Sequence, residues 1–355
     1  MRLNWEVRLA GKRARVVRLR RSDVTGPGIR RIRSGRGFRY LDADGQPVSP
    51  AERDRIAGLV IPPAWKEVWI CPWPNGHIQA VGFDAAGRRQ YLYHPRWREK
   101  RDKEKHDHVL DFAAALPDAR EIVATQLDGR GLTRERVLAA TFRLLDLGFF
   151  RVGGERYAED NGTYGLSTLL RAHVRLSGGE IVFDYPAKGG YERVQAVADP
   201  QLLRIVRQLR SRPAEGDALF AYYQDRQWHR VHGSDINGYL KFLTGLDVSA
   251  KDFRTWNATV LAAVGLAVSP VSRASASSRK RAVARVVKEV SEYLGNTPAV
   301  CRASYIDPRV IERYERGDTI ADALDRLGEN ASGGLATQGP IEEAVLHLLR
   351  PITPS

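Results

Sequence analysis

Cysteine is scarce in this chain: two residues, Cys71 and Cys301, lie far apart among 355. That excludes a disulfide framework and a cysteine-rich zinc site, and it suits a reducing cytoplasm. The opening stretch MRLNWEVRLAGKRARVVRLRR lacks the apolar core of a signal peptide. No uncharged apolar run is long enough to span a bilayer, so a soluble, cytoplasmic protein with no membrane partner is expected. Nucleotide signatures are missing too. There is no GxxxxGK[ST] loop, and Gly153-Gly154 is too short a glycine run to signify a dinucleotide fold. The 8 histidines form no metal-ligand pattern. His229 and His232 make an HxxH, and His106 and His108 bracket Asp107, but such arrangements are more often solvated or structural. No GxSxG elbow or cysteine–histidine signature is present. Neither a metal nor a small-molecule cofactor is expected.

Acidic side chains are also in deficit. Lys and Arg total 56 against 42 Asp and Glu, which leaves a formal net charge of +14. Such an excess favours a polyanionic partner, and duplex DNA or RNA is the commonest. The length allows one or two domains, and a 43% apolar fraction is enough for a real core.

Residues 1–100 read mainly as strands and turns. Phe38–Leu41, the turn DADG and a polar return suggest one hairpin. His77–Phe83, Asp84-Ala85-Ala86-Gly87 and Arg88–His94 suggest another. Four of the seven tryptophans (Trp65, Trp69, Trp73, Trp97) fall here, and core packing is the ordinary reading for most of them. The charged stretch WREKRDKEKHDH, from Trp97 to His108, reads as a linker or an exposed helix start, and the domain boundary is expected there. Residues 101–327 then read as mainly helical. Thr133 caps a run of Val137, Leu138, Thr141, Leu144 and Leu145 that stops at Gly148. Strand character interrupts between His173 and Arg193, with turns at Gly178-Gly179 and Lys188-Gly189-Gly190. Asp199-Pro200, Ser249 with Asp252, Thr297-Pro298 and Asp307-Pro308 each open a further helix. Val283, Val286, Val287, Val290 and Leu294 form one helical stripe ended by Gly295. Residues 328–355 read as a tail, with a Gly/Ser loop and a brief amphipathic segment of no evident purpose.

What remains is basic side chains placed beside turns and helix starts, plus one tyrosine, and phosphoryl transfer needs little more. Its transition state spreads negative charge over non-bridging oxygens, which arginines clamp with paired hydrogen bonds. A nucleophile attacks in line, and the leaving oxygen gains a proton. Tyrosine is the nucleophile when the product is a reversible covalent ester. With 13 tyrosines and many arginines, this logic alone assigns no residue.

Four segments, in order, resemble the poxviral and bacterial branch of the type IB DNA topoisomerases. They are IPPAWKEVWICPWPNGHIQAVGFDAAGRRQYLYHPRW (61–97), FRVGGERYAEDNGTYGLSTL (150–169), FDYPAKGG (183–190), and KDFRTW (251–256) with LGNTPAVCRASYIDPRVIERY (294–314). By position, the resemblance implies catalytic roles for Arg151, Lys188, Arg254, Asn296 and Tyr305, with Tyr305 as nucleophile and Lys188 as the proton donor to the 5′ oxygen. Asn296 fills a place that is His in the poxviral enzymes. The resemblance further implies that Gln90, Tyr91 and Tyr93 touch the major groove of duplex DNA and that Tyr157 contacts a phosphate. Alternation along the strand puts Tyr91 and Tyr93 on one face, and Gln90 and Leu92 on the other. The basic stretches Lys12–Arg21, Ile29–Arg39 and Ser272–Arg281 are expected to add unspecific phosphate contacts, the last ordering only on DNA. The fold implied is α+β: a small β-rich N-terminal domain and a larger helical catalytic domain, forming a C-shaped clamp. A monomer that relaxes supercoiled, nucleoid DNA without ATP or metal is the expected activity.

Each residue also has an ordinary reading. An arginine near a helix end is commonly a surface or capping charge, Lys188 a turn lysine, and Tyr305 a packing residue beside Ile306. Two other functions stand as alternatives. A tyrosine recombinase shares the catalytic logic but typically carries HxxR where this chain has Lys251-Asp252-Phe253-Arg254. An architectural DNA-binding protein explains the charge but not the ordered Arg, Lys, Arg, Asn, Tyr set.

Overall fold

The computed structural model describes residues 18–148, 150–213, 216–269, 275–328 and 338–350. The chain divides into two compact units between Lys105 and His106.

The first unit is built on antiparallel pairing. Strands β1 (Ile29–Ser34), β2 (Gly37–Leu41), β3 (Lys66–Ile70), β4 (Ile78–Phe83) and β5 (Arg89–Tyr93) form one sheet in the order β2-β1-β3-β4-β5. Helix α1 (Pro50–Gly58) joins β2 to β3. Its cap is the Ser49 hydroxyl, which accepts from the Glu52 N–H at 3.3 Å, and Pro50 supplies the first turn. The β4–β5 hairpin turns as the sequence predicts: the Asp84 carboxylate accepts from the Ala86 and Arg88 N–H groups, each at 3.0 Å. The other hairpin is shorter than expected. β2 pairs along its length with β1 before it and only briefly with the return after DADG, where the Asp42 N–H donates to the Gln46 carbonyl and the Val48 N–H to the Tyr40 carbonyl. DADG does turn, with Asp42 accepting from the Asp44 and Gln46 N–H groups, but only a single bridge, Leu41 to Pro47, follows it. Pro47 has no N–H to extend a ladder, and helix α1 begins at Pro50. Ile29, Ile56, Val68, Ile70 and Ala80 form the core. The tryptophans are half-buried rather than central. Trp65 packs on that core, Trp69 donates to the Gly26 carbonyl at 3.1 Å, Trp73 lies 3.5 Å below the Arg20 guanidinium, and Trp97 meets His77 edge-on.

The charged stretch expected as a linker or helix start is the first part of α2 (Pro95–Leu127), which crosses the division. Its opening turns are solvated, with Lys100 and Arg101 facing Glu104. From His106 onward it buries Val109, Leu110, Phe112, Ala113 and Leu116.

The second unit continues with α3 (Arg134–Gly148), α4 (Glu155–Asn161), the antiparallel sheet β6 (Val174–Ser177), β7 (Glu180–Ala187) and β8 (Tyr191–Val197), α5 (Pro200–Ser211), the pair β9 (Ala221–Gln224) and β10 (Gln227–Arg230), α6 (Gly233–Thr244), α7 (Ala250–Ala267), α8 (Ala276–Leu294), α9 (Pro298–Ser304), α10 (Pro308–Arg316), α11 (Ala321–Gly328) and α12 (Pro340–Leu349). The predicted caps hold: Thr133 Oγ1 accepts from the Arg136 N–H, Asp199 from Leu202, Thr297 from Val300 and Asp307 from Arg309. Helices α3 and α7 are buried over most of their length, charged residues such as Arg136, Asp146 and Arg254 included, so both run through the core. The rings of Phe112 and Phe142 meet Phe253 edge-on at 4.9 and 5.1 Å, which fixes the start of α7 among α2 and α3.

The C-terminal reading needs correction. The brief amphipathic segment is α12, and its Ile341, Val345 and Leu349 join the core of the second unit. The reason is electrostatic as well as apolar. Glu342 accepts from Arg120 at 2.6 Å and from Trp256 Nε1 at 2.7 Å, while Arg120 also grips Asp146. A buried carboxylate of this kind is tolerated only when its oxygens are fully met by donors. Residues 12–17, Ser272–Ala274 and the Gly/Ser stretch 329–337 lie outside the described residues; Ser275–Arg281 cap and open α8.

Candidate active site

Arg151 sits on a loop held by backbone rather than by the preceding helix. The Arg151 carbonyl accepts from the Leu166 N–H at 2.8 Å, and the Val152 carbonyl from the Ser167 N–H at 2.7 Å. The two stretches approach this closely because Gly153 faces Gly165. A Cβ on Gly153 would lie 2.9 Å from the Gly165 Cα, and its φ of +87° is open to few other residues. So anchored, Arg151 extends one Nη to the Gly295 carbonyl and the Asn296 Oδ1, both at 2.8 Å.

Arg254 lies in the first turns of α7. The Asp252 carboxylate accepts from the Ser249 N–H at 2.8 Å and from its hydroxyl at 3.1 Å. The predicted capping box is therefore one-sided, with the serine hydroxyl spent on donation. Packing of Phe253 leaves the neighbouring Arg254 only 3% exposed, donating to the Leu294 carbonyl at 2.8 Å. Its guanidinium stands 5.2 Å from the Tyr305 ring centroid and shares a side-chain hydrogen bond with the phenol. Burial, aided by Arg151, pushes Arg254 down to about 10, which still leaves it charged at neutral pH.

Tyr305 closes the C-terminal end of α9, and its N–H still reaches the Cys301 carbonyl at 3.0 Å. Thr259 on α7 holds the same segment. Its hydroxyl accepts from the Asp307 N–H at 3.1 Å and lies 2.8 and 3.3 Å from the Thr255 and Tyr305 carbonyls. Burial opposes ionisation of the phenol, but Arg254, Lys251 and Arg151 outweigh it and hold Tyr305 below the ordinary tyrosine range.

Asn296 follows the left-handed Gly295 that ends α8. With its oxygen given to Arg151, its Nδ2 is buried with no partner among the described residues. Lys188 is exposed on the β7–β8 turn, at the rim of a groove of about 1000 Å³ that Arg151, Arg193, Asn296 and Thr297 also line. The structure thus pairs Arg151 with Asn296 and Arg254 with Tyr305 by direct contact, with Arg151 near enough to act electrostatically on both Arg254 and Tyr305, and sets Lys188 on a groove shared with Arg151 and Asn296. Three neighbours escaped the sequence reading. Lys251 carried a signal, since it shares a helix face with Arg254 three residues on. Thr259, a hydroxyl in an apolar helical run, carried a weaker one. Arg193, in the polar strand ERVQAV, carried none.

The remaining expected residues stand elsewhere. In the first unit, Tyr91 and Tyr93 project together from β5, 37% and 39% exposed, with rings stacked at 6.0 Å. Gln90 faces the other way and donates to Asp84 at 2.9 Å, so the structure does not bring it to the tyrosine face. Tyr157 is 61% exposed on α4. Among the described residues no group of His, Cys, Asp or Glu is arranged to hold a metal, and no helix is long and apolar enough to cross a membrane.

A phenol lowered in pKa by guanidinium groups, and a buried amide donor with no partner among the described residues, are groups of the kind that phosphoryl transfer calls for. They point to a class of phosphoryl-transferring proteins. Residues 94–329 match the family described as eukaryotic DNA topoisomerase I, catalytic core, and residues 37–84 match the bacterial DNA topoisomerase IB N-terminal domain. The chain is similar to DNA topoisomerase 1B of Acanthamoeba polyphaga mimivirus, at 30% identity over 81% of this chain and 88% of that protein. It is similar to DNA topoisomerase 1B of vaccinia virus strain Copenhagen, at 23% identity over 65% of this chain and 71% of that protein. Topoisomerase 1 of Schizosaccharomyces pombe is 27% identical over 55% of this chain and 23% of its own length. The chain belongs to the type IB DNA topoisomerase family. It is a DNA-relaxing enzyme, which is the first of the three functions left open by the sequence.

Proposed function

We propose that Tyr305 cuts one strand of duplex DNA and remains joined to it. The phenol, its ionisation favoured by the neighbouring cations, gives its proton to water as its oxygen attacks the scissile phosphorus; a bond from that oxygen to the 3′ phosphate forms, and the bond to the 5′ oxygen breaks. Lys188 delivers the proton that the departing oxygen needs. Arg151 and Arg254 hold the non-bridging oxygens, and the free Nδ2 of Asn296 donates a further, uncharged hydrogen bond. The cut strand then swivels, and the 5′ hydroxyl attacks back. Because the phosphotyrosyl ester retains the energy of the phosphodiester, resealing draws on no nucleotide. Tyr91, Tyr93, Gln90 and Tyr157 contact the duplex. The support for Gln90 is the resemblance alone. The reading extends to a monomer acting on cytoplasmic, nucleoid DNA, supported by the net charge of +14 and the family's substrate.

The observation that carries this reading is the contact between Arg254 and Tyr305, set against the Arg151–Asn296 pair. The test is to trap the covalent adduct on a nicked-end DNA substrate and to follow relaxation of supercoiled plasmid without ATP or magnesium. Both are expected in the native protein and neither in Tyr305→Phe. An adduct that persists in Tyr305→Phe removes the nucleophile assignment.

A further inference from the structure

Arg193 has no role in the mechanism above, yet its surroundings match those of the residues that do. It lies on β8 opposite Tyr185, half-buried. Its bonds go to neutral oxygens only: the Gln195 Oε1 at 3.0 Å and the Tyr293 carbonyl at 3.1 Å. Gln195 is itself held, donating to the Gly148 carbonyl at 2.5 Å, so the guanidinium has a fixed platform. One Nη of Arg193 and one of Arg151 flank Gly295, at 3.4 and 3.7 Å from the point a Cβ would occupy there. The two cations therefore stand side by side above the turn that carries Asn296. Arg151 likewise bonds only neutral oxygens, and neither arginine has a carboxylate within ion-pair distance among the described residues. Burial lowers the Arg193 pKa, Tyr185 across the sheet opposes that shift, and Arg151 adds to it as a like charge close by. Two guanidinium groups held in this way cost stability unless an anion joins them.

We infer that Arg193 binds a DNA phosphate, as a further substrate-contacting residue beside Arg151. The groove it lines also takes in Lys188 and Asn296, so the phosphate is the scissile one or its immediate neighbour on the cut strand. This inference rests on the reading of Tyr305 as nucleophile and adds to it a residue outside the family resemblance.

The test measures single-turnover cleavage at saturating enzyme for the native protein, Arg193→Gln and Arg193→Lys. Substrates carry a neutral methylphosphonate at one phosphate at a time. The expected result is a rate loss of about tenfold or more in Arg193→Gln, partly restored in Arg193→Lys. That loss is expected to vanish at one methylphosphonate position, where the partner charge is already gone. A loss of equal size at every position, or none at all, overturns the inference. Should Arg193→Gln fail to fold by thermal melting, Arg193→Lys on the same substrates carries the comparison. Tyr305→Phe run in parallel separates the two readings, since an adduct there counts against the nucleophile and not against Arg193.

Discussion

The phenol of Tyr305 is pulled in two directions, by burial toward the neutral form and by Arg254, Lys251 and Arg151 toward the anion. The second pull wins, and its largest part comes from Arg254. A spectroscopic tyrosinate titration, taken as native minus Tyr305→Phe, is therefore expected to show a group ionising below the ordinary tyrosine range. In Arg254→Gln the same group is expected to move up, because burial remains and the cation does not. A titration unmoved by that substitution would mean that Arg254 does not govern the phenol. Thr259 acts one step removed, on the backbone. Thr259→Val keeps the shape and removes the hydroxyl that meets Asp307 and the Tyr305 carbonyl. The expected cost is about 1–3 kcal/mol of stability, because a buried N–H loses its acceptor. Cleavage is expected to slow at saturating DNA with little change in DNA affinity, and Thr259→Ser to restore the rate.

At the scale of elements, the helices signalled their own beginnings. Asp199, Thr297 and Asp307 each stand before a proline and each cap a helix, since the side-chain oxygen and the missing N–H satisfy the same helix end. The Arg254 and Tyr305 positions were legible through KDFRTW and ASYIDP, and the apolar stripe of α8 through its spacing. Long-range pairing was less legible. β2 has two edges, and its longer pairing is with β1 through the Gly35-Arg36 turn, while the return after DADG ends at Pro47 and the start of α1. Arg193 was invisible because its meaning comes from Gly295 and Tyr293, about a hundred residues away. Helix α12 was misread for the same reason. Its Glu342 makes sense only beside Arg120 and Trp256, which belong to α2 and α7. Burial opposes the charge on Arg120, and Glu342 and Asp146 outweigh it. Glu342→Ala leaves Arg120 with Asp146 alone and takes the acceptor from the buried Trp256 N–H, and is expected to cost about 1–3 kcal/mol in chemical denaturation. Trp256 lies two residues from Arg254, so the loss is expected to reach cleavage as well. A variant as stable as the native protein would reduce α12 to an ornament of the core.

Over the whole molecule, two compact units share one strongly basic chain. Affinity for DNA is expected to fall steeply with salt, by about 0.9 log units per phosphate neutralised for each log unit of salt. The exposed ring pair of the first unit should separate binding from chemistry. Replacing Tyr91 and Tyr93 by alanine is expected to weaken DNA binding in a filter or anisotropy assay. The cleavage rate is expected to stay near native once DNA saturates. Equal affinity in that double variant would remove the rings from the interface.

Arg120 and Glu342 meet across 222 residues of chain. A ribosome that has made α2, α3 and α7 has already given Arg120 one carboxylate, Asp146, but has left the buried Trp256 N–H without the acceptor that meets it in the finished chain. Translation thus completes the polar joint of these three helices only after Tyr305 itself has been made.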